Sequence, residues 1–157
     1  MFRAALTTLQ CLGALLVIAA LAGCEEIYTI HARDYEEWKS LSEGERAWFP
    51  DNLPSTAYNI YAAYDLDTSA TNIAFEISAD SLANLERTLK ESMFGQLVWP
   101  RMLVNEPWWP RVLNDRSYEE ADRIGLKFFT YQEHRGKGTL NWGCAVDPKV
   151  SKVYFWY

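Results

Sequence analysis

The stretch that decides the fold runs over residues 57–78, AYNIYAAYDLDTSATNIAFEIS. Residues 57–64 are rich in tyrosine and alternate well enough for a β-strand. Residues 72–78 alternate cleanly, with every second side chain from Ile73 onward apolar. Between them, residues 65–71 have the Asp, Thr and Ser content of a turn. The stretch therefore predicts a β-hairpin with a long loop.

One or two short helices are predicted upstream of this hairpin. The segments Asp34–Glu37 and Ser42–Glu45 both have capping-box form, with acidic side chains in the first helical turn. Aromatic and apolar residues follow at helical spacing, and Pro50 cannot continue a helix. Nearer the N-terminus, residues 24–33 are predicted to form a tether.

The clearest helix is predicted downstream of the hairpin, from a cap on Asp80 or Ser81 to an end near Gly95. Glu86 and Lys90 are spaced to form a favourable i,i+4 pair on it. Its apolar side chains form one stripe along a helix face, at Leu82, Leu85, Leu89 and Met93.

The segment of residues 97–116, which contains three prolines and three tryptophans, is predicted to be irregular. A short helix follows it, because Ser117 begins another capping box and Gly125 lies where a C-terminal cap belongs. Three further runs predict a C-terminal β-meander, over residues 126–131, 139–146 and 152–157.

These elements predict a small single-domain α+β fold. Its antiparallel sheet consists of an N-terminal hairpin plus a C-terminal three-stranded meander, and it packs with two or three short helices. The composition agrees, since 49% hydrophobic and 23% charged residues are typical of globular domains and exclude wholesale disorder. Whether the two β regions share one sheet is left open by the sequence.

The N-terminus has the layout of a bacterial lipoprotein signal. Arg3 precedes an apolar core over residues 4–20, and residues 21–24, LAGC, match a lipobox. In such signals the leader is cut before the cysteine, which then carries acyl chains such as palmitate. The expected parts are a signal peptide over residues 1–23, a lipidated Cys24 with its tether over residues 24–33, and a domain over residues 34–157.

The residue after the lipobox indicates the location of the protein, and the overall charge limits the classes of partner it can bind. Glu25, where an Asp would favour retention in the inner membrane, favours the outer membrane facing the periplasm in a double-membrane bacterium. A net charge of −6 lacks the basic footprint that nucleic-acid binding requires. Because Cys11 leaves with the leader and Cys24 carries lipid, Cys144 has no cysteine partner for an internal disulfide.

The most distinctive stretch is residues 38–50, WKSLSEGERAWFP, followed by residues 53–60, LPSTAYNI. It resembles small bacterial membrane-anchored proteins of the YbbD head-domain type. The shared features are a W-x-x-L-S-x-x-E-R helix, a P-x-x-L-P-x-x-A-x-x-I approach to the first strand, and an Asp-rich turn such as Asp65–Asp67. The resemblance covers roughly residues 34–80 and implies no catalytic residues.

The candidate binding surface is the Trp- and Pro-rich segment. Trp108 and Trp109 offer rings that can stack on a sugar or pack against a partner, and the neighbouring prolines would hold them rigid. Glu106 and Arg111 can supply hydrogen bonds beside them. The alternative is that these rings pack over the sheet as part of the core.

Three other patterns could indicate a metal site or a catalytic group, but each is better explained by a structural role. Asp65 and Glu76 have the spacing of a Ca²⁺ loop, but Ala70 stands where the sharp turn needs glycine, so an ordinary turn is expected. Cys144 alternates with apolar residues and is expected to be an inert core thiol, not a nucleophile served by His134. The two histidines lie far apart in the sequence, so no metal site and no cofactor are expected.

The sequence thus predicts a lipid-anchored cell-envelope protein that is not an enzyme. It would bind an envelope protein or a glycan through the Trp/Pro segment or the Tyr-rich first strand. Two alternatives stay open. One is an immunity-type protein that neutralises a toxin in the periplasm; the other is a small cell-wall glycan hydrolase with Trp108 and Trp109 as a sugar platform and Glu106 as the acid.

Overall fold

The computed structural model describes residues 27–51, 53–91, 99–101, 104–136 and 138–157. Several predicted features lie outside these ranges, namely the leader, the lipobox with Cys24, Met93 and Gly95. Within them, no helix is both long and apolar enough to cross a membrane.

The described residues form one antiparallel sheet with short helices, which confirms the α+β prediction. The strands are β1 Ile27–Asp34, β2 Tyr58–Asp65, β3 Ala70–Glu76, β4 Lys90–Glu91, β5 Lys127–Arg135, β6 Gly138–Asp147 and β7 Lys152–Trp156. The helices are α1 Tyr35–Ser40, α2 Glu43–Arg46, α3 Ala79–Thr88, α4 Arg111–Asn114 and α5 Tyr118–Ile124.

The strand order answers the question that the sequence left open. The seven strands lie in the order β1-β2-β3-β7-β6-β5-β4, so the hairpin and the meander belong to one sheet. The last strand in the chain, β7, lies between β3 and β6 and pairs with both of them. Residues from the two ends of the chain therefore complete the same sheet.

The tether predicted over residues 24–33 is wrong for residues 27–33, which belong to the edge strand β1. This strand pairs antiparallel with β2, in a register that places Ile30 opposite Ala62 and Ala32 opposite Ile60. Only Ala32 is buried and Ile30 is half-buried, so β1 lacks the apolar alternation that reveals a half-buried strand.

The predicted helix ends agree with the structure where a capping residue defines the end of the helix. Asp34 caps α1, and Ser42 and Glu45 form a reciprocal capping box on α2. Gly125 ends α5 in the left-handed conformation at φ 92°.

Helix α3 and the Trp/Pro segment differ from the prediction. The cap of α3 is Ser78, whose hydroxyl accepts a hydrogen bond from the backbone N–H of Ser81, and the helix ends at Thr88 because the chain turns into β4. The carboxylate of Glu86 contacts Lys127 Nζ at 3.1 Å. The segment predicted to be irregular contains the short helix α4.

Both faces of the sheet are covered. The first face, here called the helical face, packs against α1, α3 and the loop before β2, with Trp38, Phe49 and Leu82 in its core. The second, here called the tryptophan face, packs against the Trp/Pro segment, α4 and α5, with Trp109 and Leu113 in its core. The alternation of each strand divides its side chains between these two cores.

One glycine permits the close packing of the tryptophan face. Gly143 of β6 lies directly opposite Trp156 of β7, and the indole covers the backbone of the glycine. A Cβ at position 143 would lie 2.1 Å from Trp156 Nε1, far inside van der Waals contact. Trp156 is fully buried, so this aromatic cover over a cross-strand glycine fixes the centre of the sheet.

We expect Gly143→Ala to destabilise the protein by about 3 kcal/mol, because the buried indole must move to admit a methyl group. The matched control is Gly44→Ala in α2, where an added Cβ meets nothing within 4 Å. This control should stabilise the protein by about 0.5 kcal/mol through a less flexible unfolded chain. Urea unfolding followed by tryptophan fluorescence measures both, and equal effects at the two positions would contradict the packing described here.

Candidate functional site

The two neighbouring tryptophans of the candidate surface have different environments. Trp109 is 4% exposed and presents its ring edge-on to Tyr154 and Trp156, with centroids 5.7 and 6.3 Å away. Its Nε1 atom is buried and has no acceptor among the described residues. Trp109 is therefore a core residue, as the alternative interpretation of this segment held, and it offers no platform to a ligand.

Trp108 instead belongs to a stack of rings that reaches the edge of the sheet. Its ring lies parallel to that of Tyr61, at 12° and 5.9 Å between centroids. Tyr61 in turn stacks on His31, at 8° and 4.2 Å. His31 is exposed, whereas Tyr61 and Trp108 are half-buried. These three residues are called the ring stack below.

The register between β1 and β2 produces the ring stack. His31 of β1 lies directly opposite Tyr61 of β2, so their side chains stand on the same face. Trp108 reaches Tyr61 from the Trp/Pro segment, which covers this face. Sequence reasoning named the Tyr-rich first strand as a candidate but placed His31 in a tether, so the stack itself was missed.

The loop that carries Trp108 is held by backbone and side-chain hydrogen bonds. The backbone N–H of Trp109 donates to the carbonyl of Glu106 at 3.0 Å. The amide of Asn114 donates from Nδ2 to the carbonyl of Val104 at 2.7 Å. These bonds close both ends of the turn before α4 and hold Trp108 in place beside Tyr61.

The two charged residues of the candidate surface lie beside the ring stack in the sequence but are not part of it. Glu106 and Arg111 are both exposed. Arg111 Nε lies 3.4 Å from Asp115 Oδ2, one helical turn along the chain. In an exposed position such an ion pair stabilises the fold by less than about 1 kcal/mol, so Arg111 is available to a partner.

A second stack of three rings lies on the helical face of the same two strands. Tyr28 of β1 stacks on Tyr64 of β2 at 5.2 Å and 13°, and Tyr64 stacks on Trp48 at 5.5 Å and 9°. Both stacks thus begin at an exposed side chain of β1 and end at a tryptophan of a neighbouring segment. They support the edge of the sheet from both sides.

Strand β1 is the edge that these rings support. Among the described residues it has a strand neighbour only on the side of β2. Its last turn into α1 is closed by Glu37, whose Oε2 accepts hydrogen bonds from the Arg33 backbone N–H at 2.7 Å and from its Nε at 2.9 Å. These bonds lower the pKa of Glu37 and keep it charged. An edge strand of this kind offers backbone N–H and C=O groups for pairing with another chain.

The loop between β2 and β3 is a turn held by Asp65. Its Oδ1 accepts from the backbone N–H of Asp67 at 2.9 Å and its Oδ2 from the Thr68 hydroxyl at 2.7 Å. The bond from Thr68 is the main reason that the pKa of Asp65 is lowered. Glu76 lies in β3 opposite Tyr58, so it does not fold back over the loop. The expected ordinary turn is what the structure contains.

Cys144 occupies the position that the alternation predicted, whereas His31 and His134 lie in strands and not in the tether and turn that were expected. Cys144 is fully buried in the core of the helical face, and burial raises the pKa of its thiol well above the usual value. His134 Nδ1 lies 3.0 Å from the Thr139 hydroxyl in the β5–β6 hairpin. The described residues contain no group of three or more His, Cys, Asp or Glu side chains that could hold a metal ion.

The distinctive motif of residues 38–50 builds the fold. Trp38 is buried and meets Phe49 edge-on at 5.2 Å. Ser42 and Glu45 are the capping box of α2, and Arg46 Nε donates to the carbonyl of Leu41 at 3.2 Å. The motif thus fixes how the chain enters the sheet.

Comparison with known proteins confirms the resemblance over one part of the chain. The family model described as the YbbD head domain matches residues 26–76, which include β1, α1, α2, β2 and β3. Neither a curated protein nor a solved structure matches the chain.

The different environments of Trp108 and Trp109 give a direct test. We expect Trp109→Ala to destabilise the protein by about 3–5 kcal/mol, because it opens a cavity in a closed core. Trp108→Ala should cost about 1–2 kcal/mol, because its ring is only partly buried and loses less contact area. Urea denaturation of both variants gives the two values. A larger loss for Trp108→Ala would contradict the assignment of Trp109 to the core.

Proposed function

We propose that this chain is a non-enzymatic binding module, held at the bacterial cell envelope by lipid on Cys24. It binds a partner protein through β1 and the ring stack of His31, Tyr61 and Trp108. The observation that carries the proposal is the ring stack itself, because it gives an edge strand a rigid aromatic flank. The lipobox at residues 21–24 supports the anchor, and the outer membrane facing the periplasm is the proposed location.

The geometry of the rings favours a protein partner over a sugar. A sugar platform needs an open ring face, whereas the ring of Tyr61 already stacks with both His31 and Trp108. An edge strand, in contrast, offers backbone N–H and C=O groups to an added strand of another protein. Side chains on that added strand would then meet the aromatic edges of the stack.

The rigidity of the surface supports the same function. The rings are held by the sheet and by the hydrogen-bonded loop before α4, so little side-chain entropy is lost when a partner binds. Aromatic residues with a charged neighbour such as Arg111 are also the residues that dominate binding energy at protein interfaces. Arg111 and Glu106 are proposed to contact the rim of the partner.

Crosslinking of the full lipidated chain in its own cells, followed by capture, tests the proposal. The variant is His31→Ala/Trp108→Ala, which removes the two outer rings of the stack. Tyr58→Ala is the matched control, since Tyr58 is also an exposed aromatic residue of β2 but lies outside the stack. We expect the native chain and the control to recover one specific protein, and recovery to fall about tenfold or more in the double variant.

Two results would contradict the proposal. Equal recovery of the partner by the double variant would show that the ring stack is not part of the interface. Recovery of general membrane proteins alone by the native chain would show that the chain has no specific protein partner. Circular dichroism must show that the double variant is folded. If the captured protein is a toxin and deletion of this chain removes protection from it, the module is of the immunity type.

A further inference from the structure

A half-open groove lies on the helical face, on the opposite side of the sheet from the ring stack. Its walls are α3 and the loop of residues 50–51 and 53–56, here called the proline loop, in which every described residue except Asp51 lines the groove. Its floor is formed by Tyr131 of β5 and Phe155 of β7. The cavity volume is about 460 Å³, which lies within the range of about 300–1,000 Å³ that is usual for small-molecule sites.

The sheet holds the proline loop from one end. Arg135 of β5 donates hydrogen bonds from its guanidinium to the carbonyls of Ala47 and Phe49. Glu133, only 5% exposed, accepts from the backbone N–H of Asp51 at 2.7 Å through Oε1, and its Oε2 lies 3.0 Å from Arg135 Nε. Charged groups thus fix the loop to the sheet, but neither of these two side chains lines the groove.

Helix α3 holds the proline loop from the other end. The Thr56 hydroxyl donates to Ser81 Oγ at 2.9 Å, and the Ser78 hydroxyl donates to the same atom at 2.9 Å. Within the loop, the backbone N–H of Ala57 donates to the carbonyl of Pro54 at 2.9 Å. Both walls are therefore fixed, and the space between them is a feature of the fold.

The lining of the groove is apolar at the base and uncharged throughout. Leu53, Leu85 and Leu89 join the two rings of the floor. Hydroxyl and amide groups lie at the rim, at Ser55, Thr56, Ser81, Asn84 and Thr88. None of the described residues that line the groove is charged. An ionised group at the base of the groove would lose water and meet no counter-charge, which disfavours its burial there. The Arg87 guanidinium lies outside the lining, where it donates to Asn84 Oδ1.

From this lining we infer that the groove is a binding site for an uncharged small molecule, with an apolar body against the leucines and a hydrogen-bonding group at the Asn84 rim. The ligand and the groove are matched in charge and polarity. The apolar base removes the apolar body of the ligand from water, and the polar side chains of the rim hydrogen-bond to its polar end. This site is independent of the proposed partner surface, because it lies on the other face of the sheet.

A pair of dyes with the same ring system tests the charge preference. Phenyl-naphthylamine is neutral, and anilinonaphthalene sulfonate adds one negative charge to the same skeleton. The chain from residue 25 onward, which contains every described residue, is titrated with each dye and fluorescence is recorded. We expect the neutral dye to bind at least about tenfold more tightly than the sulfonate.

A substitution at the rim tests whether the dyes bind in the groove. Asn84→Arg adds a cation beside the groove, and it should strengthen sulfonate binding about tenfold while neutral-dye binding changes little. Ala83→Arg is the matched control, since Ala83 is an exposed neighbour on the same helix that does not line the groove. Leu85→Glu should abolish binding of the neutral dye, with the melting temperature recorded to show that the variant is folded.

Three results would overturn the inference. Absence of neutral-dye binding to the native chain would mean that the groove takes no such ligand. Equal or tighter binding of the sulfonate would contradict the charge preference. The same gain in Ala83→Arg as in Asn84→Arg would place the dye elsewhere. None of these results depends on crosslinking to a partner, so failure here and failure of the proposed function are distinguishable.

Discussion

The insertion of the last strand into the middle of the sheet is the constraint on which the rest of the structure depends. Strand β7 pairs with β3 on one side and β6 on the other, and so joins the hairpin half to the meander half. Val153 and Phe155 of this strand enter the core of the helical face, while Tyr154 and Trp156 enter that of the tryptophan face. Neither core is complete until the final residues have docked, and such long-range pairing makes the fold one cooperative unit.

This central strand also supports both candidate sites. On the tryptophan face, Trp156 and Tyr154 meet the ring of Trp109, and the adjacent Trp108 is thereby placed against Tyr61. On the helical face, Phe155 forms part of the floor of the groove. The proposed protein-binding edge and the proposed small-molecule groove thus share one sheet but no lining residue, since none of the described residues that line the groove belongs to the ring stack.

The elements that sequence predicted are those governed by local rules. The alternation of β3 and the caps at Ser42 and Gly125 each depend on a few neighbouring residues, and all are found in the structure. Strand β1 was missed because Ala32 is its only buried side chain, which leaves no alternating apolar pattern in the sequence. Two other features depend on residues that lie far apart in the chain, namely the stack of Tyr61 on Trp108 and the central position of β7. Local sequence patterns do not predict such long-range contacts.

Hydrogen–deuterium exchange after removal of residues 152–157 tests whether the whole sheet unfolds as one cooperative unit. The amides to follow are those of β2 and β3, which lie within the region that matches the YbbD head domain. Val150→Ala, a change at a side chain that is 58% exposed in the preceding turn, serves as the control. Both strands are expected to lose protection in the truncated chain and to keep it in the control, because β7 joins them to the rest of the sheet. Retained protection of β2 and β3 without β7 would show that the hairpin folds independently of the central strand and that the sheet is not one cooperative unit.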